Sequence, residues 1–145
     1  MNQDFNDCLD KGKIKIFSRG KFVAPKEIRL AEEDLKIASA SFSDGNFRWC
    51  VIQTYYSMFH SARALLYYQN YREHSHYCLI QAIRALYVGN KLLDLSLVEA
   101  MAEAKNLREA ADYYGDYSQI NAEKLLEHAK NFLKAAKDII KNGTL

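Results

Sequence analysis

Apolar residues recur along this chain at steps of three and four, the period of an amphipathic helix, and strict two-residue alternation is nearly absent. Pro25 can open a first long helix, because its missing N–H has no intrahelical acceptor there. Ile28, Ala31, Leu35, Ala38 and Phe42 follow as its apolar stripe, and Asp44-Gly45 ends it. The second helix is predicted from about Asn46 to about Gln69. Phe47, Cys50, Val51, Tyr55, Met58, Ala62, Leu65 and Leu66 form its stripe, and Trp49, Ile52 and Phe59 widen it. A helix this apolar belongs at the centre of a bundle. Its remaining face carries Gln53, Tyr56, His60, Arg63 and Tyr67, a polar and aromatic row on an otherwise buried helix.

Asn70 to His74 reads as a turn, after which Ser75 can cap a third helix with Cys78, Leu79, Ala82, Ile83 and Leu86 facing inward. Gly89-Asn90 ends it. A fourth helix carries Leu97, Met101, Ala104, Leu107, Ala111 and Tyr114 and stops at Gly115. Ser118 can cap the fifth, with Ala122, Leu125, Ala129, Phe132, Ala136 and Ile140 in register and Gly143 closing it. Residues 1–24 form an N-terminal arm that reads as a short helix before an extended stretch, in which Lys13 to Ile16 has the form of a short edge strand. The fold class is therefore all-α: an up-and-down bundle of four to five helices, formed by one domain over residues 25–145.

Composition changes this picture only at the edges. With 145 residues, 49% of them hydrophobic and 26% charged, the chain makes one ordinary packed domain. The mean hydropathy is −0.33 and no apolar run approaches the length of a membrane span. The first residues lack the basic start and apolar stretch of a signal peptide, so a cytoplasmic location is expected. Cys8, Cys50 and Cys78 are an odd number without a close pair, so reduced cysteines are expected, with Cys50 and Cys78 packed inertly on apolar faces. The net charge of +2 supplies no strong phosphate-binding field by itself. The slight excess sits in the arm, where Lys11, Lys13, Lys15, Arg19 and Lys21 face Asp4, Asp7 and Asp10. Ten tyrosines suit a partly polar core or an interface, and with the two-sided second helix they lead us to expect a homodimer.

Three groups of residues carry candidate chemistry. Tyr71-Arg72-Glu73-His74-Ser75-His76 packs a cation, a carboxylate and two imidazoles beside a helix start, where backbone N–H groups favour anions. Its plainer reading is a solvated turn with Ser75 as cap. The Tyr56, His60, Arg63 row is either a ligand site or a buried hydrogen-bond network. Arg108 and Asp112 lie one helical turn apart and can pair. No cofactor is expected and no metal site, since Glu73-x-x-His76 has the carboxylate-bundle spacing only once.

The run Thr54-Tyr55-Tyr56-Ser57-Met58-Phe59-His60-Ser61-Ala62-Arg63-Ala64-Leu65-Leu66 resembles the signature helix of HEPN-domain proteins. The runs Tyr71 to Leu79 and Leu107 to Tyr113 resemble two further blocks of a prokaryotic subgroup, and the resemblance extends over about residues 26–140. It implies a helical bundle that often dimerises and that associates with minimal nucleotidyltransferases, frequently as a toxin–antitoxin pair. It also implies nucleotide or RNA binding. Many members are metal-independent ribonucleases whose motif is an Arg followed, some four to six residues on, by a His. Here the spacing departs from that motif. After Arg72 the histidines come too soon, at His74 and His76. After Arg108 none appears before His128, and Arg63 has none within reach. Asp112 stands where a histidine belongs, and an ionised carboxylate cannot donate the proton an imidazolium would.

Three functions follow as expectations. The first is a non-catalytic module that binds a nucleotide, RNA phosphates or a nucleotidyltransferase. The second is a ribonuclease toxin that uses His76 or His60 as base, with Arg63 or Arg108 steadying the phosphate. The third is a structural dimerising protein. For the first two, Tyr56, His60, Arg63, Arg72, His76, Arg108 and Asp112 are expected to converge on one positive cleft, Asp112 holding an arginine in place. His76, at a helix start, is expected to be neutral because of the positive end of the helix dipole.

Overall fold

A computed structural model describes residues 3–143; Met1 and Asn2 of the predicted arm, and Thr144 and Leu145 at the far end of the predicted domain, lie outside the described residues. The chain forms α1 (Gln3–Asp10), β1 (Ile14–Ile16), α2 (Gly20–Ser43), α3 (Phe47–Tyr68), β2 (Tyr71–Glu73), α4 (His76–Ile83), α5 (Leu95–Tyr114) and α6 (Gln119–Asn142), with a π-helical stretch, Arg84–Val88, continuing α4. The all-α expectation holds, and α3 is the central helix: it packs against α2, α4, α5 and α6. Cys50, Tyr55, Met58, Ala62, Leu65 and Leu66 on it are fully buried. The row Gln53, Tyr56, His60, Arg63 and Tyr67 is half-buried throughout, as the periodicity implied.

The caps predicted from sequence are in place. Ser75 Oγ accepts from the Cys78 N–H at 3.2 Å, and Ser118 Oγ accepts from the Asn121 N–H at 3.1 Å. Gly115 and Gly143 close α5 and α6 in the left-handed region, at φ of 63° and 58°.

Three expectations need correction. First, α2 begins at Gly20, with Pro25 more than one turn inside it. The start is fixed by tertiary contact: Asn70 Oδ1 accepts from the Lys21 N–H at 2.9 Å, and a Cβ at Gly20 would run into the Tyr67 carbonyl oxygen. The missing Pro25 N–H costs one ladder bond near the helix start, which these contacts offset. Second, Asn70 to His74 is not only a turn. Tyr71–Glu73 pairs antiparallel with Ile14–Ile16, placing Ile14 opposite Glu73, Lys15 opposite Arg72 and Ile16 opposite Tyr71. Third, the cysteines are not all reduced. Cys8 and Cys78 form a disulfide, with Cα atoms 5.8 Å apart, and Cys50 alone is free among the described residues. Seventy positions of sequence hid this pair, which forms because α1 folds onto α4. No described helix is long and apolar enough to cross a membrane.

Candidate functional site

On the exposed side of α3 its half-buried row meets α2, β2, α4 and α5, and two charged clusters form there with His76 between them. The first surrounds Arg63. Its Nε and one Nη donate to the same oxygen of Glu73, at 3.1 and 2.6 Å. Its other Nη lies 3.8 Å from Glu27. His60 Nδ1 is 2.9 Å from the same Glu27 oxygen, and its Nε2 is 3.7 Å from Asp34. Glu27 and Glu73 are both buried, so they require these cations. The second Glu73 oxygen is buried and has no partner among the described residues. Burial alone would lower the affinity of Arg63 for its proton, but the Glu73 hydrogen bond and charge outweigh it. The Arg63 guanidinium also lies over the Phe59 ring, 4.4 Å from its centroid.

The second cluster surrounds Arg108 on α5. Arg108 is 8% exposed, and its guanidinium lies 5.3 to 5.8 Å from the ring centroids of Tyr55, Tyr56 and Tyr113. Its one ion pair among the described residues is a long contact of 3.7 Å with Asp112. Its Nε is buried without an acceptor among the described residues. Asp112 is shared, since its other oxygen lies 3.5 Å from Arg48. Arg48 also donates to the carbonyls of Ala111 and Asp112, at 2.8 and 3.2 Å, near the end of α5 where carbonyls lack intrahelical partners.

His76 joins the two clusters. It is the first residue of α4, and its Nδ1 is 2.7 Å from the Tyr55 hydroxyl. Its ring packs 4.6 Å from that of Phe59, the residue under Arg63. Burial, and next the charge of Arg108, hold its pKa below the ordinary histidine value; Arg63 and Lys105 push the same way and Glu73 opposes them. The neutral form follows, but for a different reason from the helix dipole. Burial likewise pushes the Tyr55 phenol far up, so it stays protonated.

Of the seven residues expected together, Tyr56, His60, Arg63, His76, Arg108 and Asp112 occupy this one continuous face. Arg72 does not join them. It alternates to the exposed side of β2, opposite Lys15, and rests over the Phe17 ring at 5.2 Å. Sequence reasoning missed Arg48, Glu27 and Asp34. Nothing in its spacing marks Arg48. Glu27 did carry a signal: with Gly20, Ala24, Ala31 and Ala38 it continues the small-residue stripe that faces α3.

A family model of the HEPN domain matches residues 25–140. The chain is 30% identical over 115 residues to the protein named "Putative toxin MJ0605" of Methanocaldococcus jannaschii, covering 79% of this chain and 86% of that protein. It is 29% identical over 128 residues to "Putative toxin MJ0142" of the same organism, covering 86% and 87%. A "UPF0332 protein" of Archaeoglobus fulgidus is 31% identical over 119 residues, covering 78% and 91%.

Proposed function

The chain belongs to the HEPN-domain family, and on that premise we propose that it is a non-catalytic module binding the phosphates of a nucleotide or of RNA at the His76–Arg108 face. One observation carries this reading. A half-buried, neutral His76 lies between two guanidinium groups, and one of these, Arg108, keeps a buried N–H without an acceptor among the described residues. An incoming phosphate oxygen would satisfy that donor once the tyrosine rings around it part to admit it, and the guanidinium presents the planar fork that phosphate fits. Arg63 is already neutralised by Glu73, with Glu27 beside it, so it offers a phosphate neither a free donor nor a net positive field, and the reading rests on Arg108. Asp112 aligns Arg108 and supplies no acid, and its charge disfavours a scissile phosphate placed close enough for in-line cleavage.

Titration of the protein with ADP and with a fluorescent oligouridylate tests this. Binding that weakens about tenfold or more in Arg108→Ala, and hardly at all in Arg72→Ala, is expected. Equal binding by both variants and the wild type would refute it.

A ribonuclease reading is the alternative. The names of the Methanocaldococcus relatives, and a neutral imidazole able to act as a base, favour it. RNA cleavage that persists with a chelator and is lost in His76→Gln would replace the binding-only reading. We further propose that the protein is a homodimer. Trp49, Tyr113, Tyr114, Tyr117 and Ile120 are all exposed near the α5–α6 corner and α3 start, a cluster of apolar surface that a second copy would cover. A minimal nucleotidyltransferase is the protein partner proposed from the family resemblance, and the neighbouring gene is the direct check.

A further inference from the structure

The Cys8–Cys78 bond ties the first helix to the start of α4, two residues after His76. We propose that Cys8–Cys78 is a thiol–disulfide exchange site through which a small dithiol reductant controls the phosphate affinity of the His76–Arg108 face. The control rests on the binding reading above; the exchange site does not.

Connectivity carries the proposal. The Lys13 N–H donates to the Cys8 carbonyl at 2.8 Å, and the His74 N–H donates to the Lys13 carbonyl at 2.8 Å. The Cys78 N–H donates to Ser75 Oγ, the cap of α4. Cys8, Lys13, His74, Ser75 and Cys78 thus form a closed ring of backbone, hydrogen bonds and one disulfide, and His76 lies inside the spanned segment. The same segment carries Glu73, the acceptor of Arg63, on the strand that pairs with β1. Opening the disulfide leaves the strand pairing, the packing of β2 and α4 against α3, and the Glu73–Arg63 and His76–Tyr55 contacts to hold residues 71–78 in place. Both determinants of the site that lie on this segment, the Glu73–Arg63 contact and the His76–Tyr55 contact, then lose a covalent constraint.

Cys8 and Cys78 are themselves buried, at 2% and 5% exposure, so a reagent reaches the bond from the pocket beside it only as α1 shifts outward. Both cysteines line a pocket of about 250 Å³ whose other walls are Asp4, Asp7, Lys11, Lys13, Ser75 and Tyr77. Two lysines balance two aspartates, so the opening favours no strongly charged reagent. A thiolate of the dithiol attacks one cysteine sulfur, forming a mixed disulfide and expelling the other cysteine as a thiolate, which takes a proton. The second thiol of the reagent then closes its own ring and releases the remaining cysteine. Two electrons and two protons pass to the protein, and the reagent leaves as a cyclic disulfide. Cys50 takes no part: it is buried beside Thr54, and burial pushes its thiol up, away from the reactive thiolate form.

The test uses the full chain, oxidised in air and then reduced with dithiothreitol, beside Cys8→Ser. Thiols are counted after denaturation, amide exchange is mapped, and ADP is titrated. The oxidised chain is expected to show one thiol and the reduced chain three. Reduction should raise exchange across residues 71–78 while leaving the central part of α6 unchanged, and weaken ADP binding about fivefold or more, the lower range of coupling between linked sites. Cys8→Ser should reproduce the reduced state in both oxidants and reductants. Three thiols in the oxidised chain, or identical exchange and identical affinity in both states, would overturn the proposal. An oxidised chain that binds no ADP, yet shows the change in exchange, would refute the binding reading and leave the exchange site standing.

Discussion

His76 and Arg108 show how much one side chain's surroundings decide. Both were visible in the sequence as members of polar runs, and Arg108 and Asp112 were legible as a pair from their spacing. The burial of Arg108 among three tyrosines was not, because those rings come from two helices whose meeting is a tertiary event. Arg72 illustrates the opposite error. Its nearness in sequence to Glu73 and His76 suggested a shared site, but strand geometry sends adjacent side chains to opposite faces, so Glu73 goes in and Arg72 goes out. The residue-level prediction concerns His76. Its pKa is depressed in the fold, so the unfolded chain binds more protons as pH falls. Its contribution to stability is therefore present above about pH 6.5, the ordinary histidine value, and is lost as pH drops toward the folded value. Urea denaturation at pH 7 and pH 5 should show a larger acid loss in the wild type than in His76→Gln. Removing the neighbouring charge in Arg108→Gln should move the His76 midpoint upward, as read by NMR titration of the ring.

At the level of elements, periodicity predicted the four long helices and the central place of α3, because amphipathic stripes encode burial directly. Helix starts held by remote groups were less legible. Pro25 looked like an opener, yet Gly20 begins α2 because the chain there presses against the backbone at the end of α3. Gly20→Ala is accordingly expected to destabilise the protein by about 1–3 kcal/mol, the range for overpacking a close contact, measurable as a lower denaturation midpoint. Of the two short strands, β1 was legible as the edge strand at Lys13 to Ile16, whereas β2 escaped because three residues inside a polar turn carry almost no periodic signal. Their consequence is large all the same, since β2 delivers Glu73 to Arg63. Glu73→Ala should cost about 1–3 kcal/mol by stranding the half-buried guanidinium, and Glu73→Gln, which keeps a hydrogen-bond acceptor, should cost less.

For the whole molecule, composition set an expectation of one domain and misjudged the cysteines. An odd count without a close pair said nothing about which residues folding would bring together. The disulfide closes a loop of about 70 residues, and such cross-links contribute about 2–4 kcal/mol by restricting the unfolded chain. Cys8→Ser should lower the denaturation midpoint accordingly. The exposed Tyr113, Tyr114 and Trp49 set a second expectation at this scale. Sedimentation at micromolar concentration should show twice the 16.7 kDa mass, and Tyr114→Asp should shift the species toward the monomer; a 16.7 kDa species alone in the wild type would contradict the dimer.

The central claim is that phosphate is held between His76 and Arg108, and the His76 ring itself reports on it. A dianion bound beside the imidazole favours the charged form, so adding ADP should shift the His76 ring proton resonance and raise its titration midpoint, while His128 on α6 stays unmoved. An unchanged His76 resonance at saturating ADP, or the same shift in Arg108→Ala as in the wild type, would contradict the account.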